Sequence, residues 1–209
     1  MAATDLSPPA TAVTAKASAA STLADPGPLG LGAFALTTFM LSTFNAGLLD
    51  IGVESIVFSI ALFYGGTVQV FAGLLEYVKG NTFGGTAFCS YGAFWLAFWG
   101  LGHFFTPGKE SSASDVNHAV GLFLLAWTIF TVYMFIASAR TSTALFVVFG
   151  LLLLTFIALT AGKLLENVTY THIGGYLGLA TALGAWYVSF AGVLSSTWKR
   201  PVLPLGPRA

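Results

Sequence analysis

Few side chains in this sequence can do chemistry, and those that can lie within long apolar surroundings. Gly66, Gln69, Gly73 and Glu76 recur at helical spacing and share one face. Gln69 lies deep in its apolar run, where an unpaired amide is costly, so it must face other helices or water. Glu76 stands three residues before Lys79. Two readings stay open for it: an i,i+3 ion pair at a membrane surface, or a group at the inner mouth of a permeation path. A second mixed face holds Phe34, Thr38, Leu41 and Asn45 at i, i+4, i+7 and i+11. Such a face suits a protein interior or a pore, although polar side chains also join helices inside a bilayer.

Other chemistries lack their parts. No apolar run has Lys or Arg at its centre, which argues against a tight, charged anion site at the midplane and against a voltage sensor. His103, His118 and His172 have no ligand partner close in sequence, so no metal or other cofactor is expected. All three fall at run ends on one side, which fits interfacial placement or a sensor of external pH. Cys89 is the only cysteine; it forms no disulfide framework and reads as a small packing residue. No nucleophile–base pair is visible, so an enzyme is not expected. Zero formal net charge speaks against a nucleic-acid partner.

The elements that must position these residues are marked by where charge is missing. Residues 26–49, 55–75, 80–108, 116–139, 141–162 and 167–198 contain none of the sixteen charged residues. At about 1.5 Å per residue, a helix needs roughly 20 apolar residues to cross a hydrocarbon core of about 30 Å. The shortest of the six runs has 21. Continuous apolar runs lack the alternation of barrel strands, so the expectation is an all-α membrane protein with six spans at 25–198. Asp25 followed by Pro26 is a good helix start. Gly80, Asn81 and Thr82 suit a turn followed by a cap. The longest loop is expected at roughly 106–117.

Residues 1–24, rich in Ala, Ser, Thr and Pro, have no apolar signal-peptide core and read as a disordered tail. Residues 199–209 read as a short basic tail. Lys16, Lys79, Arg140, Lys199, Arg200 and Arg208 fall on one side and only Lys109 and Lys163 on the other. The positive-inside rule then places both termini in the cytoplasm. Gly174, Gly175, Gly178 and Gly184 predict tight helix packing, within one bundle or between protomers. Gly84-Gly85 before Trp95 and Gly174-Gly175 before Trp186 hint at two inverted three-helix repeats.

Two motifs resemble the acetate uptake transporter family, also called succinate–acetate permeases or YaaH-type proteins. One is Asp25-Pro-Gly-Pro-Leu-Gly-Leu31; the other is YGGTVQVFAGLLEYVKGNTFGGTAFCSYGAFW, from Tyr64 to Trp95. The resemblance implies a homohexamer in the cell membrane with one pore per protomer, passing acetate and, in some members, succinate or other short monocarboxylates. It also implies an apolar constriction built by Phe34, Tyr91 and Leu152, the last within the leucine run 151–154. Asp25 stands where the family usually has Asn, and its charge near the inner mouth can repel an anion.

A short carboxylate, with a pKa near the roughly 4.3 of Glu, is mostly anionic at neutral pH, and a dry neck imposes a large desolvation cost on it. A co-transported proton, or a hydroxyl such as that of Tyr91, would lower that barrier, with Thr38, Asn45 and Gln69 orienting the carboxylate on either side. Both a channel and a proton symporter fit. The alternatives are a channel for a small neutral solute (urea, ammonia or water) and a membrane acetate sensor without significant flux.

Overall fold

The apolar runs fold as helices whose ends are fixed by side chains that cap them. The computed structural model describes residues 23–206; most of the expected N-terminal tail, Lys16 included, and Arg208 lie outside the described residues. Six helices run in chain order: α1 (Gly27–Asn45), α2 (Ile51–Val78), α3 (Thr82–Phe104), α4 (Ala113–Ser138), α5 (Thr143–Leu164) and α6 (Val168–Trp198). Asn81 accepts from the amide of Gly84, Ser142 from Leu145 and Asn167 from Thr169, each closing the open N-terminus of a helix. Ser112 and Asp115 bond reciprocally as a capping box at the head of α4.

Charge-free runs therefore locate the helices but misplace their ends. Asp115 belongs inside α4 as part of its cap, so the loop from α3 to α4 covers 105–112 rather than 106–117. Helix α2 extends past its run at both ends and takes in Glu54 and Glu76. Five of the six helices are long and apolar enough to cross a membrane. Helix α3, with 23 residues, is long enough, but Gly, Ser, Tyr, Trp and His dilute its hydropathy.

Helix α2 is not uniform. A 3-10 turn (Ile51–Val53) leads into an α segment (Ile56–Ile60), then a π segment (Ala61–Val68), then a second α segment (Gln69–Val78). The Thr67 hydroxyl matches the wider turn by donating to the Leu62 carbonyl, five residues back, at 2.7 Å. Gly65 and Gly66 let this stretch sit close to its neighbours. A Cβ on Gly65 would lie 2.5 Å from Thr37 Oγ1, and one on Gly66 would lie 2.6 Å from Leu96. The extra residue of a π turn resets the facing of the helix beyond it, and Gln69 is the first residue past this segment.

The helices pack as a ring in chain order, each against the next, with α6 closing on α1. Helices α3 and α4 meet mainly through side chains, with the Phe94 ring 5.7 Å from Phe123 and 5.4 Å from Trp127. The glycines of α6 work inside this ring. Gly175 faces the backbone of Ala46, Gly178 faces Ser42, and Gly174 and Gly184 face Leu159 and Val148. After Lys199, which ends α6 with φ at +57°, the stretch expected as a tail turns back. Leu205 and Gly206 accept from the first amides of α5 at 3.0 and 2.6 Å, and Pro204 accepts from the Tyr187 hydroxyl at 2.7 Å.

A methyl group at Gly175 would meet the backbone of α1, whereas one at Gly100 meets nothing within 4 Å. Overpacking of this kind costs about 1–3 kcal/mol. Gly175→Ala should therefore lower the thermal midpoint of the purified protein in detergent, and Gly100→Ala should leave it unchanged or slightly higher. Equal behaviour of the two would show that α1 and α6 are not in close contact.

Candidate functional site

Two cavities open inside the ring, one toward each end. The end carrying Asp25, Lys79 and Arg140 is named the inner end. The inner cavity, about 190 Å³, is lined by Leu31 and Phe34 of α1, Gln69 and Glu76 of α2, Tyr91 of α3 and Leu152 of α5, among others. The outer cavity, about 650 Å³, takes Leu41 and Asn45 from α1, Glu54 from α2, Phe94 from α3, Lys163 from α5 and His172 from α6. The two share no lining residue. Helix α1 serves both. Phe34 and Leu41 are seven positions apart, about 10 Å along a helix, and this stretch separates the cavities. Thr38 lies within it, 6 % exposed, and its hydroxyl has no hydrogen-bond partner.

The barrier is built from rings. Phe34 and Tyr91 have centroids 6.0 Å apart; Tyr91 also meets Phe130 at 5.1 Å, edge-on, and Phe149 at 6.3 Å. One turn further along α3, Phe94 packs edge-on against Trp95, Trp127 and Phe156 at 5.1–5.6 Å. Edge-to-face packing suits the ring quadrupoles and leaves little room to shift. Phe34, Tyr91 and Leu152 are all buried, and all three line the inner cavity. The phenol oxygen of Tyr91 is 3.0 Å from Thr131 Oγ1 on α4.

Polar groups gather at the inner mouth. Glu76 accepts from Asn81 Nδ2 at 2.7 Å, and Asn81 in turn caps α3. Lys79 donates to Asp25 Oδ1 at 2.7 Å and lies 3.9 Å from Glu76, so its nearer partner is Asp25. Burial works against the Lys79 charge, but the bond and charge of Asp25, helped by Glu76, outweigh it and hold the ammonium above its usual pKa. Asp25 also accepts from the Gly27 amide at 3.1 Å, one residue ahead of Pro26 at the helix cap. Among the described residues Gln69, 1 % exposed, has no partner for either amide atom, and the Trp95 indole N–H is likewise unpaired.

The three histidines share the outer end but not one setting. His172 lines the outer cavity. His103 bonds the Trp99 carbonyl at 3.0 Å and packs on Phe58, and His118 lies 3.7 Å from Glu166. Cys89 sits against Gly73 between α2 and α3. Glu54, Lys163 and Phe94 line the outer cavity without having been singled out in the sequence. Phe94 had a signal, its place three residues after Tyr91 in Ser-Tyr-Gly-Ala-Phe-Trp. Glu54 and Lys163 are brought to one cavity only by the ring.

With this geometry in view, comparison with known proteins is decisive. Residues 8–206 match the model of the GPR1/FUN34/yaaH family. The chain belongs to this family. It is 38% identical over 184 residues to the succinate-acetate/proton symporter SatP of Escherichia coli K12, covering 88% of this chain and 96% of that one. It is 42% identical over 176 residues to ammonia transport outward protein 2 of Saccharomyces cerevisiae, covering 81% of this chain. The chain spans 61% of the length of the yeast relatives it matches. A solved structure of the bacterial acetate channel SatP superposes with a TM-score of 0.80 at 37% identity, over 88% of this chain and all of that one. Six helices in a membrane protein agree with that likeness.

An orphaned buried amide destabilises a fold by roughly 1–3 kcal/mol. Gln69→Leu should therefore raise the thermal midpoint of the purified protein. A fall would mean that the amide has a partner within the fold.

Proposed function

We propose that this protein carries acetate, and other short carboxylates such as succinate, across the cell membrane through a pore in each protomer of a homohexamer. The observation that supports this best is a pair of cavities, one toward each end of the ring, kept apart by buried apolar side chains, with Phe34, Tyr91 and Leu152 lining the inner one and serving in this reading as the neck. Relatives named for acetate and succinate transport agree with it. The neck lets a small methyl-bearing acid through and opposes a hydrated anion or a bulkier acid, because stripping water from a charge without replacement is costly. Gln69 supplies replacement on the inner side, Thr38 within the gap and Asn45 on the outer side. Asn81 holds Glu76 at the inner mouth, where Glu76 can receive a proton that travels with the substrate. His172 is the histidine that lines the outer cavity. Both termini are cytoplasmic, in keeping with the basic residues at the inner end.

A second reading is a channel for a small neutral solute. The neck has no cation, and a yeast relative is named for ammonia transport. Labelled uptake into proteoliposomes separates the two: acetate should enter faster than into protein-free vesicles, and neither urea nor ammonia should compete. Uphill accumulation driven by an inward proton gradient would mean symport; simple equilibration would mean a channel. Entry of the neutral solutes without acetate would overturn the acetate reading.

Two substitutions probe the neck. Leu152→Ala should admit lactate while acetate uptake persists; an unchanged substrate range in a folded variant removes Leu152 from the constriction. Gln69→Leu should lower acetate uptake about tenfold, the loss of one hydrogen bond to a charged group. Unaltered uptake would take Gln69 off the path.

A further inference from the structure

Thr131, on α4, is fully buried and lines neither cavity. Its hydroxyl donates to the carbonyl of Trp127, four residues back, at 2.8 Å. A threonine hydroxyl has one proton, and this one is already committed. The 3.0 Å contact between Thr131 Oγ1 and the Tyr91 hydroxyl therefore has one sense: Tyr91 donates and Thr131 accepts. A phenol also has a single proton, so none remains for a passing carboxylate. Phe34, Phe130 and Phe149 pack around the ring with centroids at 5.1–6.3 Å and hold its oxygen beside Thr131.

We propose that Thr131 is a positioning residue for the neck: by accepting the hydrogen bond of the Tyr91 hydroxyl it keeps that donor from the substrate. This rests on the transport reading above and sharpens it. Selection at the neck then works through size and loss of water, with no hydrogen bond from Tyr91 to the substrate. Among the described residues the buried polar side chains without partners are Gln69, Thr38 and Trp95, and of these Gln69 and Thr38 lie at the inner cavity and in the gap beyond it. This assignment and the expectation that the Tyr91 hydroxyl replaces lost hydration make opposite predictions.

The test is a double-substitution cycle read as the KM for acetate in proteoliposomes. Tyr91→Phe alone should change KM by less than about twofold, since the hydroxyl does not reach the substrate. Thr131→Val keeps the shape but removes the acceptor, which frees the phenol proton to bind carboxylate, so KM should fall about tenfold. Adding Tyr91→Phe to Thr131→Val should cancel that fall, and Thr131→Ser should behave as the wild type. A tenfold rise in KM from Tyr91→Phe alone would overturn the proposal. So would effects that simply multiply, including the case in which neither substitution moves KM.

The Raman tyrosine doublet of wild type minus Tyr91→Phe gives a second readout that needs no transport and no Thr131 variant. A donor phenol supports the proposal and an acceptor phenol overturns it. If the wild type moves no acetate beyond protein-free vesicles, the transport reading fails, and this spectrum still decides the role of Thr131.

Discussion

Inside a bilayer no water is at hand to repair an unmade hydrogen bond, and every polar group must find a partner within the protein or stand where solute can reach it. The rest of this structure depends on that constraint. Most of its buried hydroxyls are satisfied locally: Thr37, Thr128, Thr131, Thr155 and Thr181 each donate to the carbonyl four residues back. The buried side-chain atoms left without partners among the described residues belong to Thr38, Gln69 and Trp95. Gln69 opens on the inner cavity, Thr38 lies in the gap between cavities, and Trp95 is one helical turn from Tyr91. Hiding orphaned groups costs a fold stability, and two of these three residues stand at the inner cavity or between the two cavities.

The ring leaves a cavity toward each end and is packed with aromatic side chains between them. Small residues draw α6 onto α1 and α2 onto α3, as Gly175 against Ala46 and Gly73 against Cys89 illustrate. Large rings fill the seam where the backbones of α3 and α4 stand apart. The π segment of α2 ends just before Gln69, so a local irregularity of the backbone sets how the orphaned amide is aimed. Neck and cavities are thus one consequence of where the backbones approach closely and where they do not.

The sequence makes the helices legible because lipid tolerates charge so poorly that Asp, Glu, Lys and Arg outline each run. The same rule blurs the boundaries wherever a charge has a local task. Asp115 is one case, bonded to Ser112 inside the first turn of α4; Glu76, bonded to Asn81 before α2 ends, is another. Faces of single helices could also be read: Phe34, Thr38 and Asn45 do run from one cavity to the other along α1. What spacing cannot supply is the relation between helices. Glu54 and Lys163 share a cavity, the Thr131 and Tyr91 hydroxyls stand 3.0 Å apart, and residues 204–206 fold onto α5 and α6, each through packing between distant segments. The family resemblance rests on contiguous motifs, so it survived this limit where pairings between helices did not.

The central claim is that α1 passes from one wetted cavity, through a dry gap, into a second cavity facing the opposite side. The most direct test is single-cysteine accessibility along that helix in a Cys89→Ser background, with a charged, membrane-impermeant thiol reagent applied to one side of sealed vesicles at a time. Leu31→Cys should react only from the inner side and Leu41→Cys only from the outer side, while Thr38→Cys stays protected from both. Labelling of Leu31→Cys and Leu41→Cys from the same side would contradict the account, because the two positions would then open on one continuous space.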